Sequence, residues 1–425
     1  MNNSQKHCIV WVCLIALLLG SLLSAKEQAD DPLRAEALAG NIDSQLKLGT
    51  EFFFGTQTRP RNLVLAVYWF RQSAEQGSAD GAYNLGVSYE KGWGVDRISL
   101  IQAYGWFDKA AKQNLPEAKL RLALLLAAGV PDEHLTKETL PGIAADRPAA
   151  FRLLRELAKG GYLPAAREFG RLIFNDRASR EANGKEAREL LILSAHSDDV
   201  ESLLLLGTYF RDAIGGSGDQ SKAFECYKKA VELGSNEAKV NLATAYEFGF
   251  GVAADPQRAF ELVKEAAVAG NPRAQLRLGD YYLNGDMVKH SLTEALSLYR
   301  KSFDAGYLSA AVRLGRCAEL GLGMRADPVR AAELYGIAAR AGDPDGQYAF
   351  GRCHQKGIGM DSDAAGAVFW FKTATAAGQL DAIRELGICL LIGNGVEKDE
   401  AQGVKLLEAA VASGDAEAMV ILNNH

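Results

Sequence analysis

Few residues in this sequence have the type and spacing to carry out chemistry. Ser44-Gln-Leu-Lys47 matches S-x-x-K, in which a lysine helps to activate a serine nucleophile. No Ser-Asp-Asn or Lys-Thr-Gly accompanies it, and so short a pattern arises about once by chance in a chain this long. Cys317, Cys353 and Cys389 lie 36 residues apart, whereas His134, His196, His290, His354 and His425 share no spacing. No H-E-x-x-H or paired C-x-x-C occurs, so no catalytic residue, metal ligand set or cofactor is assigned. Gly-x-Gly recurs, as at Gly92-Trp93-Gly94, without the strand-before, helix-after setting of a nucleotide site. What remains is recognition. Arg277, Arg313, Arg316 and Arg352, with Asp280 among them, could bind carboxylates, because a guanidinium offers paired donors to both oxygens.

Composition bounds the setting. With 48% hydrophobic and 24% charged residues in 425, the chain is neither disordered, collagen-like nor a multi-spanning membrane protein. The net charge of −6 gives no general reason to bind nucleic acid. The first 25 residues stand apart. Lys6 is their only charge, Cys8 to Leu23 is an uncharged apolar run, and Ser24-Ala25 precedes Lys26-Glu27. That order predicts an export signal over 1–25, cut after Ala25, leaving a body of charge −7. The alternative is an inner-membrane anchor formed by residues 8–25. The single Asn-x-Ser match, Asn2-Asn3-Ser4, falls inside the signal, which favours a bacterial periplasm over a eukaryotic secretory route.

The rest is one pattern repeated. Leu-Gly or a close variant marks Leu48, Leu85, Leu122, Phe169, Leu206, Leu242, Leu278, Leu314, Phe350, Leu386 and Leu422. From Leu206 every interval is 36 residues; upstream it is 37, apart from one of 47 between Leu122 and Phe169. A small residue stands four before each marker, and an aromatic or aliphatic residue stands four after most of them. Those spacings set one helix face. A capping acid and often proline, as in Asp255-Pro256 and Asp327-Pro328, open a second helix that ends at glycines such as Gly234 and Gly270. Glycine inside a helix costs about 1 kcal/mol against alanine, so the glycine after each marker implies close helix approach. We expect small residues of the second helix, such as Ala110-Ala111, to make the opposing surface. One hairpin cannot bury its apolar face alone, so neighbours must stack.

The pattern A-x-x-x-L-G-x-x-Y-x-x-G-x-G-V, then Asp, then a helix ending A-A-x-x-G, resembles the Sel-one-like repeat, a relative of the tetratricopeptide repeat. The resemblance covers residues 40–425, after an N-terminal segment at 26–39. It implies an all-α, right-handed solenoid of about ten helix-turn-helix units with a C-terminal capping helix and no sheet. It also implies adaptor or scaffold work, often in secretory or envelope compartments. The third unit departs from the pattern, with Leu122-Ala123 and an insert near 129–148; the fourth lacks Gly-x-Gly. Some family members resemble cysteine-rich modules with one disulfide per repeat, but this chain lacks paired cysteines within a unit. Equivalent positions in stacked hairpins should lie ~9 Å apart, beyond disulfide reach, so four reduced, buried thiols are expected. Cys226 reads as a core residue, and His354, at a position usually held by tyrosine, as a satisfied packing histidine.

Within this frame Arg277, Asp280, Arg313, Arg316 and Arg352 fall on one stripe of the first helices, spaced 3 within a helix and 36 between helices. The stripe is the candidate partner-binding surface; the competing reading is a solvated face of internal salt bridges. Phe52, Phe53 and Phe54 cannot all face one core, so one docks the N-terminal segment or a partner. The function expected is a non-enzymatic, monomeric scaffold, exported to the periplasm or secreted, that binds a protein or peptide. No nucleic acid is expected, and membrane contact only where the signal stays uncleaved. The alternative, suggested by family members described as penicillin-binding or β-lactamase-like, is a β-lactam-binding protein or cell-wall hydrolase acting through Ser44.

Overall fold

Helix boundaries follow the capping chemistry. Asp255 and Asp327 accept the amides of Arg258 and Arg330 through their carboxylates, with Pro256 and Pro328 at the first helical turn. Asn271, through its amide oxygen, and Asp343, through its carboxylate, accept the Ala274 and Gly346 amides at the start of the next first helices. Those helices stop at left-handed glycines, among them Gly249, Gly285, Gly321, Gly357 and Gly393.

The computed structural model describes residues 31–130 and 142–423, so the predicted export signal and much of the insert near 129–148 lie outside the described residues. Two compact units divide the chain: residues 1–205 with 214–216, and residues 206–213 with 217–425. The first contains α1 (Pro32–Leu38), α2 (Ile42–Phe54), α3 (Leu63–Glu75), α4 (Ala79–Lys91), α5 (Leu100–Ala111), α6 (Pro116–Ala128), α7 (Arg147–Lys159), α8 (Leu163–Phe174) and α9 (Arg177–Ala195). At the division runs α10 (Val200–Arg211). The second contains α11 (Gln220–Glu232), α12 (Asn236–Phe248), α13 (Pro256–Val268), α14 (Pro272–Asn284), α15 (Leu292–Asp304) and α16 (Ala310–Leu320). It continues with α17 (Pro328–Arg340), α18 (Pro344–Lys356), α19 (Ala364–Ala376), α20 (Leu380–Ile392), α21 (Glu400–Ala412) and α22 (Ala416–Asn423). Within each unit every helix packs on the one before and the one after it. In the second, α12 also meets α14, and α16 meets α18. The fold is an all-α repeat solenoid. Among the described residues the only β-type pairing is one isolated bridge, Val130 with Ile143, at the base of the insert.

The marker residues from Leu48 to Leu314, and Leu386, are buried; Phe350 and Leu422 are half-buried. The glycine beside each marker accepts a close approach, as expected, but what lies over it is different. A Cβ on Gly86 would sit 2.6 Å from the Phe107 ring, and one on Gly279 2.5 Å from the Tyr299 ring. Gly49, Gly207, Gly315 and Gly351 face Phe70, Tyr227, Tyr335 and Phe371 in the same way. At these positions a ring of the unit's own second helix occupies the space, not the alanine pair, and over Gly170 and Gly387 the side chains of Leu191 and Leu407 take its place. The alanine pair packs one step on, against the small residue that opens the next unit: a Cβ on Gly346 would lie 2.5 Å from the Ala338 side chain.

The sequence departures have local causes. The fourth unit has no Gly-x-Gly to break the chain, and α9 runs 19 residues from its Asp176 cap. The N-terminal segment contributes a helix that the repeat pattern did not assign: α1 packs Leu33 and Ala37 against Leu48, Phe52 and Trp69. Phe52 thus meets the N-terminal segment, while Phe54 is 74% exposed. At the other end α22 packs on α21 as a lone final helix.

Candidate partner-binding stripe

Helices α14, α16 and α18 carry the predicted stripe, and the structure ties most of it to the preceding first helix. Arg277 on α14 donates to the Thr244 hydroxyl at 2.9 Å and the Val240 carbonyl at 3.2 Å, and pairs with Glu247 of α12 at 2.6 Å. Arg313 on α16 pairs through Nε with Asp280 of α14 at 3.0 Å. Arg352 on α18 pairs with Glu319 of α16 at 3.2 Å. The second helices supply a further donor at two rungs: the Tyr299 hydroxyl donates to Asp280 and the Tyr335 hydroxyl to Glu319, each at 2.8 Å. Burial pushes both phenols well above their ordinary range, and the neighbouring carboxylates add to it, so they stay protonated and donate. Arg316 differs. It is exposed and makes no ion pair among the described residues.

So Arg277, Asp280, Arg313 and Arg352 are members of a ladder, and Glu247 and Glu319, which the sequence reading passed over, complete it. A signal for them existed. Both stand five residues after their markers, and Arg121 meets Glu90 from the corresponding positions, 3.7 Å apart, in the first unit. Asn241 holds the register position of Arg277 and Arg313, and there Arg211, Phe224, Tyr227, Thr244 and Phe250 line with it a shallow, solvent-open depression.

The other candidates are kept apart. Ser44 is buried and donates to Glu36 at 2.7 Å, whereas Lys47 is exposed. His354 packs edge-on against Phe350, yet its Nδ1 is buried without a hydrogen-bond partner, the Asp363 carboxylate lying 3.7 Å away. It packs, but it is not satisfied. The ring's place is set by Phe350, and the cap position of Asp363 holds the carboxylate just out of reach. All four described cysteines are free; Cys317, Cys353 and Cys389 are buried, but Cys226 is half-buried, so it is no core residue. The inward face of α11 at this point is taken by Phe224 and Tyr227 on either side of it. Burial raises the thiols of Cys226, Cys353 and Cys389 to about 11. Among the described residues no three metal-ligating side chains cluster, and no helix is long and apolar enough to cross a membrane.

The sequence profile described as "Sel1 repeat" matches residues 42–78, 79–115, 200–235, 236–271, 272–307, 308–343, 344–379 and 380–415. The chain belongs to the Sel1 repeat family. Sel1 repeat proteins generally serve as protein–protein interaction scaffolds. Between residues 115 and 200, outside the match, the described residues of this Sel1 repeat protein still fold as successive packed helices, from α6 to α9. Among solved structures, a protective antigen of uropathogenic Escherichia coli strains with an SLR fold is 29% identical, at a TM-score of 0.51. That alignment covers 92% of this chain and 81% of the antigen. A Sel1 repeat protein from Oxalobacter formigenes is 26% identical at a TM-score of 0.50, covering 58% of this chain and 99% of its own. The comparison with curated proteins returned no match.

Proposed function

We propose that this chain is an exported, non-enzymatic Sel1 repeat scaffold that captures an acidic segment of a protein or peptide across α14, α16 and α18. The observation that carries this reading is Arg316, an exposed guanidinium with no internal partner, set between two rungs that are each an arginine with a carboxylate. Half-exposed ion pairs of this kind are worth about 0–1 kcal/mol each. An incoming carboxylate can therefore bind Arg316 bidentately and displace Asp280 or Glu319 from its arginine at small cost. Export is supported by the uncharged run Cys8–Leu23 ahead of Ser24-Ala25.

The test is direct binding of a fluorescent glutamate-rich peptide, with the wild type compared with Arg313→Glu/Arg316→Glu. Binding that weakens with salt and disappears in the double variant, at unchanged helicity, is the expected result. Equal binding by both proteins would remove the stripe from consideration. N-terminal sequencing of the envelope-purified protein separates a cut after Ala25, read as Lys26 first, from retention of residues 8–25 as an anchor.

A further inference from the structure

Among the described residues of the first unit, Phe54 and Trp93 are the exposed large aromatics, on the edge where its first two repeats turn from one helix to the next. Phe54 ends α2 and is 74% exposed; Trp93, in the loop after α4, is 38% exposed. The Phe53 ring bridges them, 5.0 Å from Phe54 and 5.3 Å from Trp93. Val64, 58% exposed, and Ile98, 60% exposed, complete the edge. Val64 is placed there because Gly94 rests on the first turn of α3, its virtual Cβ 2.9 Å from the Val64 nitrogen. Ile98 folds back over Gly92, which precedes Trp93. Exposing two aromatic and two aliphatic side chains side by side is costly unless the edge meets something apolar.

Two features identify that surface. The loop at 55–62, beside Phe54, contains Arg59, which is paired with Asp31 and Glu51, and Arg61, which is exposed. Tryptophan, phenylalanine and arginine together suit the boundary between acyl chains and anionic headgroups. The path of the chain points the same way. Arg59 forms an ion pair with Asp31, so the chain enters the fold at this loop. Leu23, the last residue of the uncharged run, precedes Asp31 by eight residues, a span of at most about 28 Å.

We propose that this edge is a lipid-contacting surface: Phe54, Val64, Trp93 and Ile98 seat in the interfacial layer of an anionic bilayer, with Arg61 toward the headgroups.

The experiment uses the full chain carrying Trp11→Phe, reconstituted with phosphatidylglycerol/phosphatidylethanolamine vesicles that contain brominated acyl chains. Lipid-dependent quenching of tryptophan emission is expected, lost when Trp93→Phe is added and reduced by Phe54→Ser/Ile98→Ser at unchanged helicity. Quenching should also weaken when phosphatidylcholine replaces the anionic lipid. Quenching that is absent with Trp11→Phe, or indifferent to Trp93→Phe, would overturn the proposal. So would sedimentation showing that Phe54→Ser/Ile98→Ser abolishes a dimer in lipid-free solution, which would assign the edge to a second copy.

Discussion

Replacing Gly315 by alanine isolates the ring-over-glycine contact that recurs at Gly49, Gly86, Gly207, Gly279 and Gly351. On an open helix surface this change stabilises by up to about 1 kcal/mol. Here the new Cβ would lie 2.6 Å from Cε1 and 2.8 Å from Cδ1 of Tyr335, so the ring must retreat by most of an ångström. Tyr335 has nowhere to go: it is 3% exposed, and its hydroxyl is held by Glu319 at 2.8 Å. Overpacking of this kind costs about 1–3 kcal/mol, and weakening the hydroxyl bond costs about 1 kcal/mol more. Setting these against the helix gain leaves a net loss of about 1–3 kcal/mol. Gly105→Ala is the internal control, since its Cβ would meet nothing within 4 Å and should stabilise. Urea denaturation followed by circular dichroism should move the two midpoints in opposite directions, and Gly315→Ala/Tyr335→Leu should recover part of the loss. Should Gly315→Ala prove as stable as wild type while Gly105→Ala behaves as expected, the ring-over-glycine contact is not what the glycine is for.

Further outcomes follow from other contacts. Tyr299→Phe removes one of the two donors to Asp280 and should lower stability by about 1–3 kcal/mol, measured by the same denaturation. With Cys8 and Cys13 replaced by serine, the native chain should react with a thiol reagent far more slowly than the denatured one, Cys226 first. The rate should keep rising toward pH 11 because burial raises these thiols to about that value. Arg384, 9% exposed, holds α22 through Asp415 at 2.5 Å and Glu417 at 3.1 Å. Arg384→Ala should therefore increase amide exchange in α22 while leaving α14 to α16 protected. Burial alone would raise the Asp415 pKa, but the Ala418 amide and the Arg384 guanidinium outweigh it and hold it below the ordinary value. Its contribution is thus complete above the unfolded pKa of about 3.9 and is lost as pH falls through the lower folded value. Protection of α22 should be flat from pH 7 to 5 and decline only below pH ~4.

Most of the architecture was legible because capping acids, prolines and glycines act locally. Asp255-Pro256 starts a helix and Gly249 stops one whatever surrounds them. Contacts between helices were less legible. The interior glycines announced close approach, yet their spacing alone could not say whether Ala110 or Phe107 would fill the gap, since both lie on the same second helix. The stripe was found as a set of arginines, but the partners of Arg277 and Arg352 are Glu247 and Glu319, which come within reach only when consecutive first helices lie side by side. Helix α1 escaped because it is too short to show the repeat, and its place is fixed by packing against Leu48 and Trp69.

The rungs along the first helices also act as address labels for the repeats. Ring and glycine recur together in the repeats at 272–307, 308–343 and 344–379, so a 36-residue block there could be excised without disturbing a hairpin. The charges are not interchangeable. Removal of residues 308–343 would set Ala349 where Arg313 now meets Asp280, and Leu283 where Glu319 now meets Arg352. Steric fit would allow shuffling or duplication of modules, while unmatched charge would mark each misplaced junction, so that the order of units is written in the electrostatics.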